Sequence, residues 1–145
     1  MAVYSLGFTS VAPLTGAPYA TFHTGSSYRM QILELAVFCN AATASSVGLI
    51  RPSNSPVAST SVLGLAENPA DPASTVNVDT AWSTVPTIGT SYLRKITLPA
   101  TIGAGMLYQF PADKPLIVPV SSFLVLWNFG AATASVLNGY VKWME

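Results

Sequence analysis

The 11 prolines and 10 glycines of this 145-residue chain are spread so evenly that few helix-length windows lack one. Proline removes a backbone hydrogen bond from a helix interior, and glycine is the next poorest helix former. Between them lie short runs rich in Val, Ile, Phe, Tyr, Trp and Thr, a pattern typical of strands in an all-β sandwich or barrel. We predict strands at 2–8, 19–23, 29–39, 46–51, 57–63, 92–98, 106–110, 116–118, 122–128 and 136–143.

Two predicted strands show more than simple alternation. The residues of 122–129 are apolar on both faces, which indicates a central strand in a sheet whose outer face is also covered. In 29–39 the apolar positions change from even to odd numbers after Ile32, and a bulge near Ile32 and Leu33 would explain the change. Glu34 then lies on the other face and, if buried, needs a partner such as an arginine.

The stretch 52–90 differs from both flanks, because it consists mainly of Ser, Thr, Pro, Ala and Asn. Each proline fixes φ and biases the residue before it towards extended backbone, which is the chemistry of turns. Neither flank is long enough to form a separate domain. We therefore predict one domain over 1–145 with a long ordered surface loop around 52–90.

One short segment, Ala-Ala-Thr-Ala-Ser, occurs twice, at 41–45 and at 131–135. Each copy follows the most apolar strand of its half and precedes another strand. One interpretation is a pair of equivalent corners in a pseudo-symmetric sandwich, where small side chains let a neighbour approach. The other is coincidence, because small polar clusters between strands are ordinary loops.

Only 8% of the residues are charged, and 6 Lys and Arg balance 6 Asp and Glu. Soluble domains carry about 25% charged residues, and a net charge near zero favours association. We therefore expect other subunits to cover much of the surface. Phosphate contacts need clustered cations, and only Arg94 and Lys95 are adjacent, so the composition argues against a nucleic-acid partner.

The apolar fraction of 50% argues against intrinsic disorder and raises the question of a membrane span. The most apolar stretch, 115–129, is interrupted by Pro119, Ser121 and Asn128, so it lacks the roughly 20 apolar residues of a spanning helix. The first residues have no basic or long apolar region of a secretion signal, and a single cysteine excludes an internal disulfide. We expect no membrane partner and synthesis in a reducing cytoplasm.

Few residues suit catalysis. His23 is the only histidine, and no Gly-x-Ser-x-Gly turn is present. We favour a strand-end histidine bonded to backbone or water, because site residues normally occur as a constellation. Cys39 has no neighbouring cation and follows apolar residues, which predicts an inert buried thiol. We expect no enzyme activity and no cofactor.

Metal ligands are equally sparse. Zinc needs several Cys or His ligands, and the chain has one of each. Calcium is the alternative, through oxygen atoms of Glu67, Asn68, Asp71 and Asp79, but calcium loops concentrate their carboxylates more densely. We favour a solvated acidic loop and expect no metal site.

Trp82 is the one tryptophan predicted to be exposed. Trp127 and Trp143 fall on apolar strand faces, whereas small and hydroxyl residues flank Trp82. An exposed tryptophan either stacks on a sugar or anchors a subunit interface, where tryptophan is enriched.

Four segments together resemble small virion-associated β-sandwich proteins of tailed bacteriophages, of the kind that decorate or cement capsids. They are 63–75 (Leu-Gly-Leu-Ala-Glu-Asn-Pro-Ala-Asp-Pro-Ala-Ser-Thr), 79–84 (Asp-Thr-Ala-Trp-Ser-Thr), 98–105 (Leu-Pro-Ala-Thr-Ile-Gly-Ala-Gly) and 125–128 (Val-Leu-Trp-Asn). The resemblance implies a single antiparallel two-sheet sandwich, jelly-roll-like, that assembles as a trimer on the outside of a shell. It brings no catalytic residues.

We therefore expect a structural protein of the virion, a decoration or cement protein that binds the major capsid protein as a homotrimer through multivalent contacts. The alternative is a receptor- or glycan-binding module of a tail fibre or spike, acting through Trp82. The segment 2–8 either adds a strand to a neighbouring subunit or is an edge strand of its own sheet. The predicted partner-binding residues are Val3, Tyr4, Asn68, Pro69, Asp71 and Trp82.

Overall fold

The chain folds into strands along its whole length, in keeping with its alternation of apolar and polar residues. The computed structural model describes residues 1–145, which form twelve strands and no helix. Each predicted strand overlaps an observed one, with ends shifted by at most two residues. The strands are β1 (Val3–Thr9), β2 (Ala17–Thr24), β3 (Met30–Cys39), β4 (Ser45–Ile50), β5 (Val57–Leu63), β6 (Leu65–Ala66), β7 (Val76–Thr84), β8 (Arg94–Leu98), β9 (Gly105–Gln109), β10 (Leu116–Val118), β11 (Phe123–Asn128) and β12 (Leu137–Met144).

The strands form two antiparallel sheets of six strands each. Sheet A has the order β10-β3-β12-β1-β6, with β9 also paired to β3, and sheet B has the order β5-β7-β2-β11-β4-β8. The chain passes from one sheet to the other between most successive strands, except at β4–β5, β7–β8 and β9–β10, and β1-β12-β3-β9 faces β2-β11-β4-β8. This is the interleaved Greek-key order of a jelly roll. The predicted all-β class and two-sheet sandwich are confirmed.

The segment 52–90 is not the long loop that its composition suggested. It contains β5, β6 and β7, and β7 lies inside sheet B between β5 and β2. Val76 and Val78 of β7 belong to the core between the sheets and alternate with Asn77 and Asp79. Two apolar positions among Ser, Thr and Pro give a weak local signal, and pairing with neighbouring strands decides the structure.

β11 is buried on both faces, as predicted. Its two leucines belong to the core between the sheets, while Val125 and Trp127 form a second cluster on the outer face of sheet B. Ile88 packs on this cluster and belongs to the segment 85–93, which is hydrogen-bonded to the segment 51–56. The cover over β11 therefore comes from the chain itself rather than from a second subunit.

The bulge predicted in β3 lies at Leu33. Ile32 and Glu34 pair with successive residues of β12, so Leu33 has no residue opposite it. Beyond the bulge, Glu34 accepts hydrogen bonds from the Tyr140 hydroxyl and the Gln109 amide rather than from an arginine. The bond from Tyr140 is the main reason that the pKa of Glu34 lies below its ordinary value.

Candidate interaction surfaces

Four loops that carry the chain between the sheets meet at one end of the sandwich, which we call the corner end. The backbone N–H of Asn40 donates to the β11–β12 loop, and that of Gly103 donates to the end of β3. The side-chain amide of Asn128 donates to the β1–β2 loop. These bonds fix the loops against one another. The loops are β1–β2 (10–16), β3–β4 (40–44), β8–β9 (99–104) and β11–β12 (129–136).

The two Ala-Ala-Thr-Ala-Ser segments lie in two of these loops and contact each other. The N–H of Ser135 donates to the Ser45 hydroxyl at 2.8 Å, and the N–H of Ala41 donates to the Ser135 hydroxyl at 2.9 Å. In sheet A β3 pairs with β12, and in sheet B β4 pairs with β11. The connection from β3 to β4 and the connection from β11 to β12 therefore run side by side. The copies are equivalent corners, and the neighbour that each small-residue corner admits is the other corner.

No residue of the four corner loops is charged. Their exposed surface consists of small and uncharged polar residues with two large aliphatic side chains, Leu14 and Ile102, which are 64% and 69% exposed. The loops therefore have no charge of their own for a contact to bury, and burying unpaired charge is costly. Depletion of charged residues is also the compositional signal of an interface core. The corner end therefore has the composition of a protein-binding surface.

Five of the residues predicted for partner binding lie at the opposite end. Val3 and Tyr4 belong to β1, which pairs with β12 and β6 of the same chain. Tyr4 is buried, and its hydroxyl donates to the carbonyl of Pro72, in the loop that follows β6, at 3.1 Å. Asn68 and Asp71 share a turn of that loop. The N-terminal segment is thus a strand of its own sheet, which is one of the two alternatives that the sequence left open.

The predicted residue Pro69 lies in the same turn and is exposed. A hydrogen-bonded carboxylate that the sequence did not indicate, Glu145, fixes the loop behind it. Glu145 accepts hydrogen bonds from the Ser74 hydroxyl, from the N–H and hydroxyl of Thr75 (3.0 and 2.9 Å) and from the Trp143 indole (3.1 Å). Burial alone would raise the pKa of Glu145, but these hydrogen bonds outweigh it and hold the pKa below its ordinary value.

Trp82 lies apart from those five residues, beside the corner end. It follows Val76 in β7 by six residues, about 20 Å along an extended strand. Its side chain is half-buried, and its indole N–H donates to the Thr21 hydroxyl at 3.0 Å. It forms one wall of a pocket of about 230 Å³ between the β1–β2 loop and the end of β7. The other residues of the pocket are Val11, Ala12, Leu14, Ala17, Pro18, Thr80, Ala81 and Val85.

A buried carboxylate holds the Thr21 hydroxyl in place. Asp79 is fully buried, and its Oδ2 accepts hydrogen bonds from Thr21 Oγ1 at 2.8 Å and from His23 Nδ1 at 2.7 Å. Its other oxygen accepts a hydrogen bond from the Ser61 hydroxyl. Asp79 thus joins β2, β5 and β7. The backbone or water partner predicted for His23 is replaced by this carboxylate, and Asp79 is not part of an acidic loop.

The His23–Asp79 pair lacks the arrangement of a hydrolytic triad. A triad places the nucleophile on the imidazole nitrogen opposite the carboxylate. Here that nitrogen, Nε2, faces the Asn77 amide at 3.5 Å. The nearby Ser61 hydroxyl donates to the carboxylate instead of to the imidazole. The geometry therefore holds the buried carboxylate of Asp79 in place and does not activate Ser61 as a nucleophile.

The remaining residues considered for chemistry lie far apart in the fold. Cys39 is a buried free thiol in the core between the sheets. The oxygen ligands considered for calcium are divided, because Glu67, Asn68 and Asp71 lie in the loop after β6 and Asp79 lies in β7. No group of three or more His, Cys, Asp or Glu side chains is close enough together to hold a metal ion.

The structure contains no helical segment with the length and hydropathy needed to cross a bilayer. In comparisons with known proteins, no family model, no curated protein and no solved structure matches this chain.

Proposed function

We propose that the chain is a structural protein of a tailed-bacteriophage virion, which decorates the head shell by binding the major capsid protein as a homotrimer. The observation that carries the proposal is the corner end, an uncharged exposed surface built on a hydrogen-bonded double-sheet scaffold. Jelly rolls are frequent among viral capsid domains. The resemblance of 63–75 and 79–84 to small phage virion proteins adds independent support.

The energetics of the corner end favour several copies acting together. Full burial of a fully exposed large aliphatic side chain contributes about 1.5 to 3 kcal/mol. Leu14 and Ile102 are about two-thirds exposed, so they give one copy about 2 to 4 kcal/mol. Association costs roughly 4 to 15 kcal/mol in lost freedom, which one copy does not clearly exceed. Three linked copies contribute roughly 6 to 12 kcal/mol from these side chains, while the association cost is incurred once.

Glycan binding through Trp82 receives less support from the geometry. The pocket beside Trp82 offers a sugar little besides the hydroxyl of Thr80, because its other residues are apolar. A sugar in this pocket would leave hydroxyl groups unpaired, and unpaired buried polar groups cost free energy. Attachment to a protein surface is the better match.

A binding experiment with undecorated capsid shells tests the proposal. The wild-type protein should saturate the shells near the number of threefold positions. Ile102→Asp places a charge on the corner end and should weaken binding at least tenfold. The matched control is Val120→Asp, because Val120 is 46% exposed in the β10–β11 loop at the opposite end.

Two results would overturn the proposal: no binding of the wild-type protein to shells, or loss of binding in Val120→Asp with Ile102→Asp unaffected. Light scattering after size exclusion tests the homotrimer separately. A stable monomer at micromolar concentration would refute that part.

A further inference from the structure

We propose that the pocket beside Trp82 receives a single uncharged aromatic or large aliphatic side chain from the protein that the corner end binds. The identity of that protein rests on the proposed function, whereas the chemistry of the pocket stands on its own geometry. Trp82 is then the wall of a receptor pocket. This differs from both roles that the sequence left open, stacking of Trp82 on a sugar and its use as an anchor at a subunit interface.

The size and lining of the pocket define the group that fits. Its volume is about 230 Å³, and an apolar protein cavity of about 150 Å³ is already large enough to bind benzene. No charged residue lines it, and Thr80 is its only residue with a polar side chain besides Trp82. A charged group would therefore be desolvated without a partner, whereas an apolar side chain would lose contact only with water.

The pocket is formed before any partner arrives. The indole of Trp82 cannot rotate away without breaking its hydrogen bond to Thr21, and Thr21 is itself held by Asp79, which also accepts a hydrogen bond from His23. This chain of bonds crosses from β7 to β2 and back. A wall fixed in advance avoids the entropy of ordering side chains on binding, which is the property of pockets that receive hot-spot residues.

The position of the pocket links it to the corner end. Leu14, one of the two large exposed side chains of the corner end, also lines the pocket. Val85 also lines the pocket and is half-exposed. A protein seated on the corner end would therefore cover the mouth of the pocket and could place one side chain inside it.

The experiment fills the pocket by enlarging one of its own lining side chains, and it measures the binding of both a small ligand and capsid shells. Ala12 is exposed and lines the pocket, so Ala12→Leu occupies the space without touching the Trp82–Thr21 bond. Ala42→Leu is the matched control, because Ala42 is exposed on the corner end outside the pocket. Toluene at millimolar concentration is the probe, followed through the indole N–H resonance of Trp82, which Trp82→Phe assigns.

Toluene should shift the Trp82 resonance in the wild-type protein and in Ala42→Leu but not in Ala12→Leu. Ala12→Leu should also lower the affinity for capsid shells about tenfold or more, with Ala42→Leu changed less. Absence of a toluene shift, or a shift caused by methyl glycosides instead of toluene, would overturn the inference. So would full shell affinity of Ala12→Leu, which would leave the proposed function intact. Toluene binding by a protein that binds no shells would refute the proposed function and its partner, but not the pocket.

Discussion

Replacing Asp79 by alanine should destabilise the protein far more than the loss of an ordinary surface ion pair. The carboxylate is fully buried and accepts three hydrogen bonds, from Thr21, His23 and Ser61. The His23 side chain is 24% exposed and can be rehydrated after the substitution. The Thr21 hydroxyl is buried and loses its acceptor, so it bears the cost of an unsatisfied buried group.

The magnitude follows from these exposures. Exposed ion pairs contribute about 0 to 1 kcal/mol, whereas hydrogen bonds to a charged group contribute about 1.5 to 3 kcal/mol each. Loss of the two bonds that Asp79 accepts from Thr21 and His23 therefore costs about 3 to 6 kcal/mol. A lost acceptor for a buried hydroxyl accounts for about 1 to 3 kcal/mol of that sum. Because the whole carboxylate of Asp79 is out of solvent, the larger range applies. At about 3 °C per kcal/mol for a chain of this size, Asp79→Ala should lower the melting temperature by about 10 °C.

Urea unfolding followed by tryptophan fluorescence measures the effect. The midpoint should fall with an unchanged m-value, which shows that stability rather than compactness has changed. Asp113→Ala is the control, because Asp113 is exposed in the β9–β10 loop and forms no salt bridge. A loss below about 1 kcal/mol in Asp79→Ala, the range of an exposed pair, would refute the view that this carboxylate holds β2, β5 and β7 together.

Three further substitutions test other parts of the fold. Glu145→Gln should cost about 1 to 2 kcal/mol at pH 7. Because the folded-state pKa of Glu145 is lowered below 4.5, this contribution is present at higher pH and is lost as pH falls through the folded pKa, so the urea curves of variant and wild type should converge in acid. A constant difference would contradict this. Tyr19→Phe removes a buried hydroxyl without a hydrogen-bond partner and should be neutral or stabilising by up to about 1 kcal/mol. Burial raises the pKa of Tyr19 to about 12, so wild-type stability should fall from pH 10 to 12 more steeply than that of the variant in thermal melts. Gly64→Ala places a Cβ against the Trp143 indole and should cost about 1 to 3 kcal/mol, and an unchanged melting temperature would contradict the contact.

Most of the strands could be predicted because their signals are local. β11 has apolar residues on both faces, and the register change after Ile32 locates the bulge of β3, so each feature is readable within ten residues. β7 was missed because its two inward valines lie among hydroxyl residues and prolines. Its place beside β2 is set by cross-strand pairs such as Thr21 with Asp79, which no local pattern contains.

The candidate surfaces, too, could be predicted only where their signals are local. The absence of charge in each corner loop is visible in the sequence, but only the topology brings the four loops to one end. Trp82 was recognised as unusual, yet the bond that fixes its indole comes from Thr21, 61 residues away along the chain. Val3 and Tyr4 were expected to contact a partner, whereas pairing with β12 makes Tyr4 part of the core.

The place of β12 in sheet A has a kinetic consequence. β12 lies between β3 and β1, and Val3 pairs with Met144, so the first and last strands depend on each other. Contacts between residues this distant form slowly, and until they form β1 has only the two-residue β6 as a partner within its own sheet. During that interval β12 of another copy offers the same hydrogen bonds. Refolding at high protein concentration should therefore divert chains into strand-exchanged dimers, although β1 of the folded chain is paired within its own sheet.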